Sequence, residues 1–502
     1  PMPRSLFTKL HSLYGSPRSA AELAQAAEAG RQGLEARRLL PGALDSGALG
    51  DCDALPQTRV AVVGAGFAGL TAAWYLESAG AQVVVFEASE RIGGRVETDR
   101  DLVPGKVVEA GAELIGENHP MWIELAAIFG LHLEPITTEF PNLHAQMRFG
   151  DTDLTDDDQK QLHADLVPVL DAIGQDAKDV DEVEPWTHPN AAALDGMSVS
   201  QRLDQLLPAT SSLKRRALEF VLGNDNCAPV TRQSYLGLLA LVSAGRTGDD
   251  EVGLRGYWES TETHRCAGGN DQLAASLAAG LADLRLDTPV LRITIADDSV
   301  GIAWGDPEGV GGSEQFDYVV LAATPPSWPD VETVYTWDPS EWTMSHGPAV
   351  KHLNAFETEF WLDSGLAPNA LWDQLGSVWE GTDTQPRSDP GFDLSVYSGG
   401  DFVLPEADYP LRLGEIFPGY APVTVRFVDW PNRDWIGTGY SVPAQGEVTA
   451  IARYLASPFA DLMLFAGEQS YVPFYGYMEG ALQSGARAAR EIVSAVCPDA
   501  VA

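Results

Sequence analysis

The residues best suited to chemistry gather early in the chain. Gly64, Gly66 and Gly69 stand in a G-x-G-x-x-G spacing that encloses Phe67 and Ala68, and Glu87 follows 18 residues after Gly69. In such a run the first glycine allows a tight turn. The second lets a diphosphate approach the backbone, and the third lets a helix pack closely on a strand. The leading N–H groups of that helix, at the positive end of its dipole, then hold the diphosphate. Glu87 stands where a carboxylate would meet a ribose 2′-hydroxyl, and its charge disfavours a 2′-phosphate. The pattern reads as a dinucleotide site, with an ordinary glycine-rich turn as the alternative. It does not separate NAD from FAD.

Ala88 leads on to Arg91-Ile92-Gly93-Gly94-Arg95, with Thr98 beyond. A glycine pair between arginines offers more backbone donors and two fixed cations for a second pass over a diphosphate. By itself the stretch is equally a loop with surface arginines. Placed directly after Glu87, it resembles the second fingerprint of two-dinucleotide-domain flavoproteins, which NAD dehydrogenases do not usually carry. Other chemistry is not indicated. The nine histidines show no HExxH or paired spacing and the four cysteines no CxxC, so no metal site is expected. No acid–base dyad or Ser/His/Asp arrangement stands out.

The elements that must position these residues follow from patterning. Val60–Val63 reads as a buried strand, Leu70–Ser78 as a helix and Val83–Phe86 as a second strand ending on Glu87. Matching pieces return later: a helix over Asp271–Leu284, strands around Thr288–Ile295 and Val300–Ala303, and a parallel-type strand at Tyr318–Ala322. The last are a strand at Leu462–Phe465 and a helix over Met478–Val496. One nucleotide-binding domain is therefore expected from three segments, 56–118, 265–345 and 425–497. Residues 119–264 and 346–424 are left for a second, substrate-binding domain. Residues 1–55 form an extension whose helical patch, Ala20–Leu40, offers Leu23, Leu34, Leu39 and Leu40 for packing on the main body.

Composition sets the outer limits. A chain of 502 residues, 45% hydrophobic and 21% charged, suggests about two or three globular domains. No apolar run reaches the roughly 18–20 residues of a membrane span. The net charge of −40, from 72 acidic and 32 basic residues, argues against nucleic-acid binding; it reads first as a solvated acidic surface, with attraction of cationic substrates as the alternative. The acidic run Asp151–Gln159 reads as a solvated loop or helix start. Cys52, Cys227, Cys266 and Cys497 make no disulfide framework and suit a reducing compartment. Pro1–Leu13 has no apolar stretch of a secretory signal. A cytoplasmic location is the expectation, and a processed secreted form the alternative.

Four stretches resemble the flavin-containing amine oxidases: the monoamine, polyamine and L-amino-acid oxidases and their relatives. They are VAVVGAGFAGLTAAWYLESAGAQVVVFEASERIGGRVET (60–98), Glu109-Ala110-Gly111-Ala112-Glu113, GGNDQL (268–273) with TPVLRI (288–293) and FDYVVLAATPP (316–326), and LFAGEQSYVPFYGYMEGALQSGARAAREI (464–492). The resemblance implies an α/β fold (α+β overall), with a Rossmann-like FAD-binding domain from three segments and a substrate domain of mixed sheet and helices. It implies FAD contacts at Gly111, Ala112, Glu113, Val290, Trp430, Gly467, Glu468 and Met478. AVKHLNAFETEFW (349–361) makes Lys351 the lysine that reaches flavin N5 through a water. Tyr477, and Tyr440 by counting from Trp430, become two rings enclosing a substrate amine.

Two departures from the family pattern are informative. Animal monoamine oxidases attach FAD through a cysteine where this chain has Gly439, so FAD is expected to be non-covalent. Many L-amino-acid oxidases clamp the substrate carboxylate with an arginine that Gly111-Ala112-Glu113-Leu114-Ile115 lacks. The substrate then has no α-carboxylate, or another cation binds it, with Arg246 and Arg255 as candidates. The implied reaction takes a hydride from the amine-bearing carbon to flavin, hydrolyses the imine and returns electrons to O2 as H2O2. Trp186, Trp258, Phe360 and Trp372 are candidate pocket walls, and the resemblance implies a homo-oligomer, a dimer. Another flavin redox enzyme or a catalytically silent flavin-binding protein is the alternative.

Overall fold

The strand Arg59–Val63 is apolar and buried after its first residue, as a strand covered on both faces must be. It is the centre of a five-stranded parallel sheet in the order Met463–Phe465, Tyr318–Leu321, Arg59–Val63, Gln82–Phe86, Leu284–Arg285. Val60 pairs with Val83 on one side and Tyr318 on the other. The computed structural model describes residues 6–15, 19–44, 52–136, 142–209, 212–246, 255–306 and 309–498. Three separated segments thus supply the sheet. The helix Phe67–Ala79 leaves the central strand at once and ends on Gly80 in the left-handed region. Met478–Val496 packs on it so closely that a Cβ at Gly485 would lie 2.2 Å from the Ala68 carbonyl.

A second sheet has seven strands in the order Thr424–Asp429, Ala349–Phe356, Phe392–Gly399, Gly376–Glu380, Leu366–Trp372, His144–Phe149, Thr152–Asp153. Ala349–Phe356 and Phe392–Gly399 are buried at every position, covered on both faces. Lys351 lies opposite Tyr397 on one side and Val428 on the other. Helices Asp156–Ala177, Leu213–Asp225 and Tyr235–Gly245 contribute to the core beside this sheet. The acidic run near residue 155 is a helix start. Thr155 and Asp158 form a reciprocal capping box, and Asp156–Asp158 face the positive end of the helix dipole.

Several expectations shift. The helix beginning at Asp271 stops at Ala278, and Leu284–Arg285 pairs as the edge strand of the parallel sheet. The boundary placed between 424 and 425 cuts a strand that hydrogen-bonds to Ala349–Phe356. In the N-terminal extension, Ala20–Ala36 is helical, with Leu34 and Leu39 buried but Leu23 and Leu40 only half-buried. The cysteine reading is corrected outright. Cys52 and Cys497 form a disulfide that ties the extension to the end of the last helix. A separation of 445 residues leaves no local spacing to detect. Cys227 and Cys266 are free and buried. Among the described residues, no helix is long and apolar enough to cross a membrane, and no cluster of side chains could hold a metal ion.

Candidate active site

The central strand delivers Gly64 into a turn with φ +106°, where its N–H donates to the Phe86 carbonyl at 2.8 Å. A Cβ at Gly69 would lie 1.9 Å from the Gly64 carbonyl oxygen, so only glycine lets the helix fold back onto the turn. The second glycine loop touches the first. Gly93 bridges Gly66 and donates to the Ala65 carbonyl at 2.8 Å, and a Cβ on Gly94 would press on the Gly66 Cα at 3.2 Å. Together they make a floor of bare backbone at a helix N-terminus, which suits a diphosphate. The Glu87 carboxylate accepts from Ala65 N–H at 2.7 Å and from the Ser89 N–H and hydroxyl.

This floor opens into a cavity of about 330 Å³. It brings together Gly64, Gly66, Phe67, Ala68, Glu87, Ala88, Arg91, Gly93, Gly94, Arg95, Gly111, Ala112, Val290, Trp430, Gly467, Glu468 and Met478. Lys351, Tyr440 and Tyr477 line the same space. Two expected residues do not. Gly69 lies behind the turn it packs on, and Glu113 stands behind Lys351. Lys351 Nζ donates to Glu113 Oε2 at 2.6 Å and to the Glu109 carbonyl at 2.8 Å. Burial would raise the Glu113 carboxyl, but Lys351 and Arg265 together hold it below the ordinary value.

Three phenols, rather than the two expected, line the cavity. The Tyr477 hydroxyl is 3.0 Å from that of Tyr257 and accepts from Thr261 at 3.2 Å. Its ring packs edge-on against His119, whose pKa burial lowers to about 3. Tyr440 donates to the Asp225 carbonyl at 2.6 Å and shares a hydrogen bond with Tyr397, the third wall. Burial pushes all three phenols well above their ordinary pKa, so they stay neutral. The tryptophans and phenylalanine expected as walls lie elsewhere. Trp372 is buried between Arg148 and Arg412, Phe360 packs tilted against Phe356, Trp258 packs on Tyr257, and Trp186 borders the helical core.

The cations of the cavity wall are already in contact with carboxylates. Among the described residues its lining cations are Arg91, Arg95, Lys351 and Arg433. Each has a carboxylate partner: Glu97, Glu468, Glu113 and again Glu97. Arg255 sits on Asp171 at 2.8 Å, Arg246 donates to the Lys178 carbonyl, and neither lines the cavity. Glu468 accepts from Arg95 at 2.7 Å, from the Ser441 N–H and hydroxyl, and from Gly476 N–H at 2.7 Å. Gly439 leaves no room for a side chain, since a Cβ would lie 2.6 Å from Ala349 N. Cys227 Sγ comes within 3.5 Å of the Tyr440 carbonyl from a distant segment. It does not line the cavity, and burial pushes its thiol up to about 12.

Residues 67–493 match the family model for flavin containing amine oxidoreductase, and the chain belongs to that family. It is an oxidoreductase acting on CH–NH2 groups with FAD as cofactor. Its relatives include a Mycobacterium tuberculosis protein named AofH, provisionally a flavin-containing monoamine oxidase. The two are 28% identical over 87% of this chain and 96% of that protein. Putrescine oxidase of Kocuria rosea is 26% identical over 87% of this chain and 95% of its own length. Among solved structures, cyclohexylamine oxidase from Brevibacterium oxydans IH-35A shares the fold with a TM-score of 0.73 at 24% identity. That match covers 88% of this chain and 99% of the other.

Proposed function

We propose that this chain oxidises an amine that carries no α-carboxylate, with FAD held non-covalently as the hydride acceptor and O2 as the final one. The observation that carries the choice is that every lining cation among the described residues already faces a carboxylate, Glu97 serving both Arg91 and Arg433. A substrate carboxylate beside Tyr440 and Tyr477 would lose water and meet only Lys351, which Glu113 already holds.

The residues present fit FAD. The joined glycine loops and the start of Phe67–Ala79 suit the diphosphate, Glu87 a ribose hydroxyl, and Val290 the adenine end. The start of Met478–Val496 lies at the same cavity with its positive dipole end. Bound FAD supplies the acceptor for the hydride and the electron route to O2, which leaves as H2O2. Tyr440, Tyr477 and Tyr397 enclose the amine in a water-poor space. There the charged ammonium form is disfavoured, and the neutral amine is the form able to release hydride. Lys351 keeps one of its three donors for this space, the other two being spent on Glu113 and Glu109. The imine product then meets water and yields a carbonyl compound and ammonia. The parallel sheet and its flanking segments form the FAD-binding domain in this reading, and the seven-stranded sheet with its helices the substrate domain. Family resemblance supports a dimer of such chains.

A peroxide-coupled screen of amines against the matching L- and D-amino acids tests the reading. Amines are expected to turn over, and their α-carboxylated counterparts to be at least about tenfold weaker in kcat/KM, a difference of about 1.4 kcal/mol. Preference for an L-amino acid over its decarboxylated amine would overturn it.

A further inference from the structure

Lys351 does not stand alone. Behind it runs a buried row of alternating charge: Lys351 on Glu113 at 2.6 Å, Glu113 on Arg265 at 2.6 Å, and Arg265 on Asp383. Trp379 Nε1 donates at 2.8 Å to Glu113 Oε1, the oxygen that also takes Arg265, and sets its ring 5.4 Å from the ammonium. Glu113 therefore takes donors from three directions, is buried, and touches the cavity only through Lys351. We propose that Glu113 is a positioning residue that keeps Lys351 charged and aimed into the cavity, and so sets the alkaline edge of the pH range for amine oxidation. The kinetic part rests on the amine-oxidation reading; the charge on Lys351 does not.

A buried ammonium facing only carbonyls and an aromatic ring loses its hydration and drops its proton more readily. A carboxylate at 2.6 Å reverses this. Among the described residues, no other element around Lys351 supplies a substitute. Segment Val108–Glu109 offers Glu109, but burial raises its pKa to about 8 and it presents a carbonyl, not its carboxylate, to Lys351. Phe392–Gly399 offers Asp393, raised by burial to about 7 and bonded to Ser395 and Asn354, and Tyr397, a neutral phenol. Gly376–Glu380 and the following turn offer Glu380, paired with Arg387, and Asp383, paired with Arg265. Thr424–Asp429 faces Lys351 with Val428, and its Arg426 is spent on Glu97 and Asp99. Glu113 alone among these brings an ionised carboxylate to the ammonium.

The test uses the FAD-loaded protein and four variants: Glu113→Gln, Glu113→Asp, Lys351→Met and the Glu113→Gln/Lys351→Met double variant. The visible spectrum of the bound flavin is titrated without substrate from about pH 6 to about pH 10, spanning the range below a free lysine's pKa. Glu113→Gln is expected to gain a spectral transition at lower pH than any in the unaltered protein, and the double variant to lose it. In kinetics, the alkaline limb of kcat/KM should move to lower pH by about one unit or more, equivalent to tenfold in proton affinity. FAD affinity should change less than about twofold, because Glu113 does not line the cavity. A transition that persists with methionine at 351, or superimposable profiles, overturns the proposal. If Glu113→Gln does not fold, Glu113→Asp carries the test: its shorter carboxylate should move the limb the same way by less, and an unmoved limb overturns it. If no amine is oxidised by any form, the functional reading fails, while the spectral titration still decides the role of Glu113.

Discussion

Replacing Glu468 by glutamine should loosen the reaction space and the fold together. The buried carboxylate joins three segments through four hydrogen bonds, from Arg95, from the Ser441 N–H and hydroxyl, and from Gly476 N–H. Ser441 and Gly476 are the chain neighbours of Tyr440 and Tyr477, so this one side chain fixes the spacing of both rings. Glutamine keeps one acceptor oxygen and turns an NH2 toward a donor. One backbone N–H or hydroxyl then loses its partner, at about 1–3 kcal/mol, and Arg95 keeps a charge without its counterion. Because Arg95 is partly exposed, the lower end of the usual cost for breaking a buried pair applies, about 3 kcal/mol. The sum is about 4–6 kcal/mol of folding stability by these same terms.

The sign with pH is fixed. Burial would raise the Glu468 carboxyl, but Arg95, Ser441 and Gly476 hold it below its ordinary value of 4.5. Its contribution is therefore complete above about pH 4.5 and is lost as pH falls through the lower folded value. Denaturant unfolding of the two proteins should show the full gap at neutral pH and a narrowing gap in acid. The KM for an amine should rise more than kcat falls. Equal midpoints at neutral pH, or a gap that widens in acid, would refute the reasoning.

Three other substitutions have outcomes fixed by the same contacts. Gly69→Ala puts a methyl 1.9 Å from a backbone oxygen, so the chain should purify with little FAD, read from the ratio of flavin to protein absorbance. Cys52→Ser removes a link across 445 residues and should cost about 3–5 kcal/mol in unfolding while leaving FAD content unchanged. An unfolding midpoint insensitive to reductant would contradict it. Tyr397→Ala should raise KM for small amines about tenfold through lost apolar contact, with FAD still bound. An unaltered KM would remove Tyr397 from the wall.

What was legible in the sequence was what the backbone encodes locally. The glycine spacing, the strand before it, the helix after it and Glu87 all lie within one βαβ unit, and its strands and helix form where the pattern predicts them. Lys351, Tyr440 and Tyr477 came from family resemblance and meet at one cavity. Glu113 was misplaced because it neighbours two true lining residues, Gly111 and Ala112, while its own side chain turns to the opposite side. Tyr397 was missed for a different reason. Its place beside Lys351 is set by the register of two strands some 40 residues apart, which spacing along the chain does not reveal. The Cys52–Cys497 bond and the approach of Cys227 to Tyr440 are long-range facts of the same kind.

The central claim is that an amine gives its hydride to FAD in the space bounded by Lys351, Tyr440 and Tyr477. Anaerobic mixing of the FAD-loaded protein with a small panel of amines addresses it most directly. The visible flavin absorbance should bleach with at least one amine, and air should restore it with one H2O2 released per turnover. A flavin that dithionite bleaches but no amine does would contradict the claim.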